Sequence, residues 1–481
     1  MLLAYYDCES SKGTANACIL SISGVLVSTD SPEPIESFTL YSKPRKSRPV
    51  EVDAMLINGL DLDFLSKQDS YGVMLKKLVK IFTKWKNKGA IFVGYNNLNY
   101  DNLLINNSLF VNLRWPYLLS GGNGQFDLLP VVRATQVFAP GVINYEYNEK
   151  NLPIFKLSSI SKANGIPIKA HDSLGDSIAT YQCGRLLAKK APEVFEASLK
   201  LRNKITVKPK LESTPIVCWM EAWRQAKIHC GTSLGEGIFP GWFLMYDLRQ
   251  PVDEILELLN DTEAFKKKLD ASPKFIRVCK STRAPLLMDK KYALLEKTYK
   301  DIGMKEIEKR QKIVEKNKSE ILNKIKLIQQ DRFDEKKELN QRRPEPEEMI
   351  YDLNPNTEER KVMDAFNMAE TIQDKKKLFN MFKRDEVKTL AEMVIYEEHN
   401  EEEFIKILSK RDYTRIKKRI ANFILKNEKE NNIFTNIPSQ FARLDTLKIQ
   451  AENDEDNEKM KKLIKLDKYL FSMQSNYEKY I

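Results

Sequence analysis

The sequence predicts an α/β protein: a mixed sheet with crossover helices first, then a small β-rich module, then an all-helical end. Three observations predict it. Short apolar runs alternate with a helix-period segment over residues 2–190. Runs rich in Trp, Phe, Ile and Val, broken by glycines and Pro240, fill residues 216–279. Beyond residue 348 glycines are few and apolar residues recur at helical spacing.

The elements follow in order. Residues 2–7 (LLAYYD) form a short apolar run ending in acid, the pattern of a buried strand. Residues 17–23 and 37–42 read as two further strands able to pair antiparallel. Tyr71, Met74, Leu78, Ile81, Phe82 and Trp85 share one face of a helix. Residues 91–94 (IFVG) return to strand character. A second amphipathic helix spans residues 173–190, with Leu174, Ile178, Tyr181 and Leu186 expected inward. Residues 207–215 (VKPKLESTP) hold two prolines and read as a linker. One helix over 252–269 interrupts the β-rich part. Ile307, Val314, Ile321 and Ile328 recur at heptad spacing and predict one long helix with a solvated charged face. Residues 340–348 (NQRRPEPEE) read as a second linker. The expected units are therefore 1–200, 201–345 and 346–481. Two or three domains also suit a chain of 481 residues.

Composition narrows the classes. A net charge of +11 suits a polyanionic partner, although a generally lysine-rich composition gives the same number. The six cysteines form no CxxC pair, and His229–Cys230 has no companion at zinc spacing, so free thiols in a reducing compartment are expected. No basic leader precedes an apolar stretch, and no apolar run approaches ~18 residues. A cytoplasmic protein with no membrane association is expected.

Three local patterns carry candidate chemistry. Asp7 and Glu9 form a D-x-E pair at the end of the first strand. Residues i and i+2 of a strand project to one face, ~6.5–7 Å apart along the chain. Two carboxylates there repel unless cations lie between them; otherwise the pair simply ends a strand in solvent. Asp101 follows IFVG in the polar turn GYNNLNYD, where α/β sheets place ligands, or it caps the following helix. His171 precedes Asp176 in KAHDSLGDSIAT. The pair can flank one point only if His171 lies before the helix proper, with Asp172 or Ser173 as its N-cap; a surface histidine is the plainer reading. Taken together, four carboxylates around two divalent ions can position a water and stabilise a phosphate leaving group. A histidine at the rim can serve as general base.

The order D-x-E, N-x-x-x-D, H-x4-D resembles that of the DEDDh exonucleases of the ribonuclease H-like fold. Within that group it is most similar to the bacterial exodeoxyribonuclease I family. The strings that carry the likeness are GYNNLNYDN (94–102), FDLLPVVRA (126–134), LPIFKLSSISKANGI (152–166) and AHDSLGDSIATY (170–181), with RNK at 202–204. They cover roughly the first two-fifths of the chain. Beyond them the likeness rests on layout, a β-rich middle resembling the family's SH3-like module and a helical end. The resemblance implies that Asp7 bridges two metals, that Glu9 and Asp176 hold the ion activating water, that Asp101 helps hold the second ion, and that His171 is the general base. Magnesium is the implied metal, with manganese as a possible substitute. The implied activity is 3′→5′ digestion of single-stranded DNA to mononucleotides by a monomer, processive through a positive channel. A further implied partner is the acidic C-terminal tail of single-stranded DNA-binding protein. The chain departs from the family at Asn58, in LINGLD, where relatives carry threonine, serine or histidine near the 3′-terminal nucleotide; Cys8 between the two acids is also unusual. Candidate strand contacts are Tyr95, Tyr100, Trp219, Trp223 and Arg224 from aromatic–basic mixing, and Arg202 and Lys204 from the family string. Trp219 and Trp223 would serve equally as core residues. Two other readings stay open: a relative acting on RNA ends, and a non-catalytic nucleic-acid-binding scaffold.

Overall fold

The computed structural model describes the chain except residues 32, 122, 168–171, 223–224, 340–343 and 427–433, and of residues 336–339 it describes only the backbone. The first sheet holds β1 (Leu2–Ser10), β2 (Ile19–Ser28), β3 (Pro34–Tyr41), β4 (Ile91–Gly94) and β5 (Gln125–Asp127). Its order is β3-β2-β1-β4-β5. The first three strands pair antiparallel; β4 and β5 join in parallel to β1's other side. A mixed sheet of this kind must be covered on both faces, because parallel strands cannot leave one face wet.

The period of two along β1 decides what each face carries. Ala4, Tyr6 and Cys8 enter a core shared with Leu78, Phe82 and Trp85 of the helix Tyr71–Asn87 and with Leu104 and Leu109 of the helix Asp101–Phe110. Leu3 and Tyr5 enter the opposite core with Val131 of the helix Leu128–Phe138 and Tyr181 and Leu187 of the helix Ser173–Lys190. Asp7 and Glu9 continue the row of Leu3 and Tyr5. They therefore face the helix Ser173–Lys190.

Of the residues expected inward on that helix, Leu174, Ile178, Tyr181 and Leu186, only Tyr181 is buried. Ile178 is exposed, and Leu174 and Leu186 are half-buried; the buried row is Ser173, Ser177, Ala179, Thr180, Tyr181, Cys183, Gly184 and Leu187. The sheet is approached by small side chains, so the hydrophobic pattern pointed to the wrong flank. At Gly184 an added Cβ would stand 2.6 Å from the Tyr5 hydroxyl oxygen and 3.3 Å from Leu128 Cδ1.

A short pair, β6 (Glu146–Tyr147) and β7 (Pro153–Ile154), precedes the second sheet. That sheet holds β8 (Val217–Ala222), β9 (Ala226–Glu236), β10 (Trp242–Asp247), β11 (Ile276–Lys280) and β12 (Leu287–Asp289), ordered β11-β10-β9-β8-β12 and antiparallel throughout. The helix Leu128–Phe138 packs against both sheets, so one apolar core runs from Leu3 to Ile328. Ile307, Val314, Ile321 and Ile328 are buried, as heptad spacing requires. The expected single helix is broken at Asn317, whose side chain donates to the Ile313 carbonyl, into Met304–Lys316 and Lys318–Leu339. The helix expected over 252–269 is likewise broken where Asp261 caps Thr262–Asp270. The linker expected at 207–215 is a helix, Lys204–Ser213: Pro209 forgoes one backbone bond while Val207 and Leu211 bury against Trp219 and Phe243. Of the second expected linker, residues 340–343 lie outside the described residues, whereas Pro346–Glu348 is a capped turn with Glu347 buried against Arg419. The remaining helices, from Thr357 to Tyr477, form a separate core that also takes in Leu20, Val52, Met55 and Phe110.

Gly184→Ala tests the close approach. Alanine gains about 1 kcal/mol of helix propensity over glycine. The clash with the immobile Tyr5 ring costs about 1–3 kcal/mol. The expected outcome is a lower urea midpoint; a raised midpoint would mean that the helix and sheet are not in contact there.

Candidate active site

The acids meet at one end of the first sheet. Asp7 and Glu9 come from β1, and Asp176 from the first turn of the helix Ser173–Lys190. One oxygen of each lies within 4.8 Å of the others. Asp101 arrives from the other side. It is the first residue of its helix, Tyr100 holds the cap position, and no side-chain cap is made there. Its Oδ1 instead accepts from the Cys8 backbone N–H at 3.1 Å, between the two strand acids. Cys8 itself points into the opposite core.

Local structure explains each placement. Ser173 Oγ lies 2.7 Å from both Ser21 Oγ and Ser23 Oγ of β2, and Ser177 Oγ donates to the Ser23 carbonyl at 3.2 Å. These serines pin the helix start to the sheet and aim Asp176 at β1. The turn after β4 is tight: a Cβ at Gly94 would stand 2.5 Å from Asn97 Cβ, and Asn96 takes a left-handed φ of 67°. Below Asp101, Asn102 Oδ1 accepts from the Tyr6 hydroxyl, and Asn102 Nδ2 reaches Gln125 Oε1. Those bonds tie the Asp101 helix to β1 and β5.

Electrostatics are strained in the way the geometry demands. Burial first, then Asp101, Glu9 and Asp176, hold the Asp7 carboxyl well above its ordinary value. Burial first, then Asp176, Asp101 and Asp172, push Glu9 up to about 8, and burial raises Asp101 to about 7. Among the described residues, no lysine or arginine forms an ion pair with Asp7, Glu9 or Asp101. Clustered hard oxygens of this kind fit divalent metal.

Sequence reasoning missed two groups. Asp127, at the end of β5, accepts from the Asn96 and Leu129 N–H groups and caps the helix Leu128–Phe138; burial raises it to about 6. Its signal was an acid between a strand and a helix. The serine clamp had no local signal, because its partners lie about 150 residues apart.

The other candidates are dispersed or differently employed. His171 lies outside the described residues, as do Trp223 and Arg224. Asn58 is buried and donates to the Ser10 carbonyl at 3.2 Å, so it braces the end of β1. The Tyr100 hydroxyl lies 2.6 Å from Ser10 Oγ and donates to the Lys12 carbonyl. The Tyr95 hydroxyl donates to the Phe155 carbonyl at 2.6 Å. Arg202 donates to the Asn123 and Leu199 carbonyls, and Lys204 is exposed. Trp219 is 6% exposed and belongs to the core. No helix among the described residues is long and apolar enough to cross a membrane.

Known proteins resemble this chain in sequence and in fold. The curated exodeoxyribonuclease I of Escherichia coli strain K12 is 29% identical over 237 residues, 47% of this chain and 49% of that protein. That of Buchnera aphidicola from Schizaphis graminum is 32% identical over 167 residues, 34% of each chain. The chain is similar to exodeoxyribonuclease I. It spans half or less of the length of the curated relatives it matches. No family model matches. The fold likeness, by contrast, extends along the chain. The exonuclease I of Methylocaldum szegediense superposes with a TM-score of 0.80 at 18% identity, covering 98% of this chain and 99% of that one. The Escherichia coli exonuclease I in complex with a dT13 oligonucleotide gives 0.75 at 18% identity over the same shares. The chain has the exonuclease I fold.

The raised carboxyls make a pH prediction. Without divalent cation, the folded protein keeps protons that the unfolded chain releases above about 4.5. Raising pH therefore favours unfolding, and stability falls as pH climbs toward about 8. Glu9→Gln is expected to flatten that decline in urea titrations, and magnesium to reverse it in the unsubstituted protein. A flat profile without metal would show that the carboxyls are neither buried nor crowded as the fold places them.

Proposed function

We propose that this chain is a 3′→5′ exodeoxyribonuclease that degrades single-stranded DNA to 5′-mononucleotides by metal-dependent phosphodiester hydrolysis. The observation that carries the reading is the convergence of Asp7, Glu9, Asp101 and Asp176, from three distant stretches, in a protein of exonuclease I fold. Its curated relatives named exodeoxyribonuclease I, and the solved relative holding dT13, support single-stranded DNA as substrate.

Asp7, Glu9, Asp101 and Asp176 would hold the divalent ions, for which magnesium is proposed. Such ions lower the pKa of water and offset charge on the phosphate. Asp7, Glu9 and Asp176 would fix where a cation sits, because one oxygen of each lies within 4.8 Å of the others. The Cys8 N–H holds one Asp101 oxygen and so ties Asp101 to the strand that carries Asp7 and Glu9. His171, one residue before the cap residue Asp172, is proposed to take the proton of the attacking water. Asn58 and Tyr100 hold the backbone at Ser10 and Lys12, beside the entry to the cluster, and Arg202 and Lys204 offer charge to the strand.

Processive action as a monomer, units of 1–200, 201–345 and 346–481, and docking of the acidic tail of single-stranded DNA-binding protein belong to the same proposal. A solved complex described as single-stranded DNA-binding protein with exonuclease I supports the last.

Release of mononucleotides from matched DNA and RNA oligonucleotides tests the reading. The expected outcome is magnesium-dependent release from DNA, reduced more than about a hundredfold by Asp7→Ala. Equal release by both proteins refutes the mechanism. Equal digestion of RNA moves the substrate to RNA ends.

A further inference from the structure

A second charged cavity lies where the loop after β3 meets the helical end. Its volume is about 370 Å³, and Lys46, Tyr396, Tyr413, Lys417 and Tyr477 are among its lining residues. Lys417 Nζ stands 4.2 Å from the centre of the Tyr477 ring, 5.4 Å from Tyr480, and 5.9 Å from both Tyr396 and Tyr413. Its hydrogen bond is to the Asn476 carbonyl, at 3.4 Å. Lys46 Nζ donates to the Tyr396 and His399 carbonyls at the end of the helix Asp385–Glu398. Lys479 approaches from the last turn of the chain.

The charges are unbalanced. Burial first, then Lys479 and Lys46, lower the Lys417 ammonium pKa; Glu401, on the wall, opposes them. The other charged groups on the wall are engaged: Arg45 with Glu397, and His399 with Glu403. Among the described residues, no carboxylate forms an ion pair with Lys46, Lys417 or Lys479. Many lysines on neighbouring helices are paired, for example Lys406 with Glu402, Lys461 with Glu458 and Lys465 with Asp61. Lys417, partly buried in the tyrosine-walled hollow, loses solvation, and Lys479 and Lys46 repel it. An anion with an adjoining flat ring relieves both costs.

Position also matters. Tyr41, the last residue of β3, lies opposite Ser21, which lies opposite Glu9. Lys46 is five residues further, at most ~18 Å of chain. Lys46, on the cavity wall, is thus tied by a short stretch of chain to the strand row that carries Glu9.

We propose that this cavity is a phosphate subsite, with Lys46, Lys417 and Lys479 supplying charge and the tyrosines a face for an attached sugar or base. The phosphate belongs either to the strand whose end reaches the carboxylates, a source that rests on the nuclease reading, or to a free mononucleotide, which does not require it.

The full chain is titrated in EDTA with labelled oligo(dT) of increasing length, with dTMP and with inorganic phosphate. The strand source predicts that Lys417→Gln/Lys479→Gln weakens long oligonucleotides about tenfold, spares short ones, and lowers the salt slope by about 1.4, at ~0.7 per phosphate contact. Lys417→Arg retains binding. The free-nucleotide source predicts that dTMP binds the unsubstituted protein and not the double variant, with oligonucleotide affinity unchanged. Lys479→Gln, on an exposed turn, carries the same test if the double variant unfolds. Unchanged affinity for every probe, at an unchanged unfolding midpoint, overturns the subsite. Subsite binding without magnesium-dependent release would instead refute the nuclease reading alone.

Discussion

Four carboxylates held together against their own repulsion are the constraint on which the rest depends. Burial and proximity both resist ionisation of Asp7, Glu9 and Asp101. A fold can hold such a cluster only if other contacts supply the free energy. That explains why each acid stands on a rigid element and none on a free loop. The central strand contributes two, and two helix starts contribute the others. Helix N-termini attract negative charge, so Asp101 and Asp176 lie where their placement costs least.

The surrounding contacts work as a frame for that cluster. Ser21, Ser23, Ser173 and Ser177 form a polar seam through an otherwise apolar interface. A seam of hydroxyls specifies one register of helix on sheet, since sliding by a turn would leave each hydroxyl unpaired. Small residues along the same helix let it approach closely, as Gly184 against Tyr5 illustrates. On the other face, Tyr6, Asn102 and Gln125 link three elements under Asp101. Apolar packing gives stability on both faces, and the polar pairs fix position.

Period and punctuation made the framework legible. The short apolar run LLAYYD indicated β1, and the placing of Asp7 and Glu9 on one face followed from the strand period of two. Heptad spacing indicated Ile307 to Ile328 correctly as buried. What failed was whatever tertiary contact overrode local rules. The helix at Lys204–Ser213 tolerates Pro209 because Val207 and Leu211 find a core. Asn317 and Asp261 broke helices that periodicity ran together, since capping side chains compete with backbone bonds. The sequence also did not show that Asn58 Nδ2 and the Tyr95 and Tyr100 hydroxyls donate to backbone carbonyls. An aromatic or amide side chain shows its chemistry in sequence but not its partner.

The join between the first sheet and the helical end follows a different logic. Glu397 faces Arg45 and accepts from the Lys46 and Ser47 N–H groups, with its side chain 7% exposed. Arg48, also buried, donates to the Asn16 carbonyl and stacks on Phe434. Buried charges of this kind add little net stability, because lost solvation offsets most of the attraction. They do penalise every other docking of the two parts, since a shift would leave Glu397 buried and unpaired. The loop so fixed runs from β3, beside the carboxylates, to Lys46 at the second cavity. Rigid placement of that loop therefore sets the distance between the two charged sites, one gathering acids and the other gathering lysines.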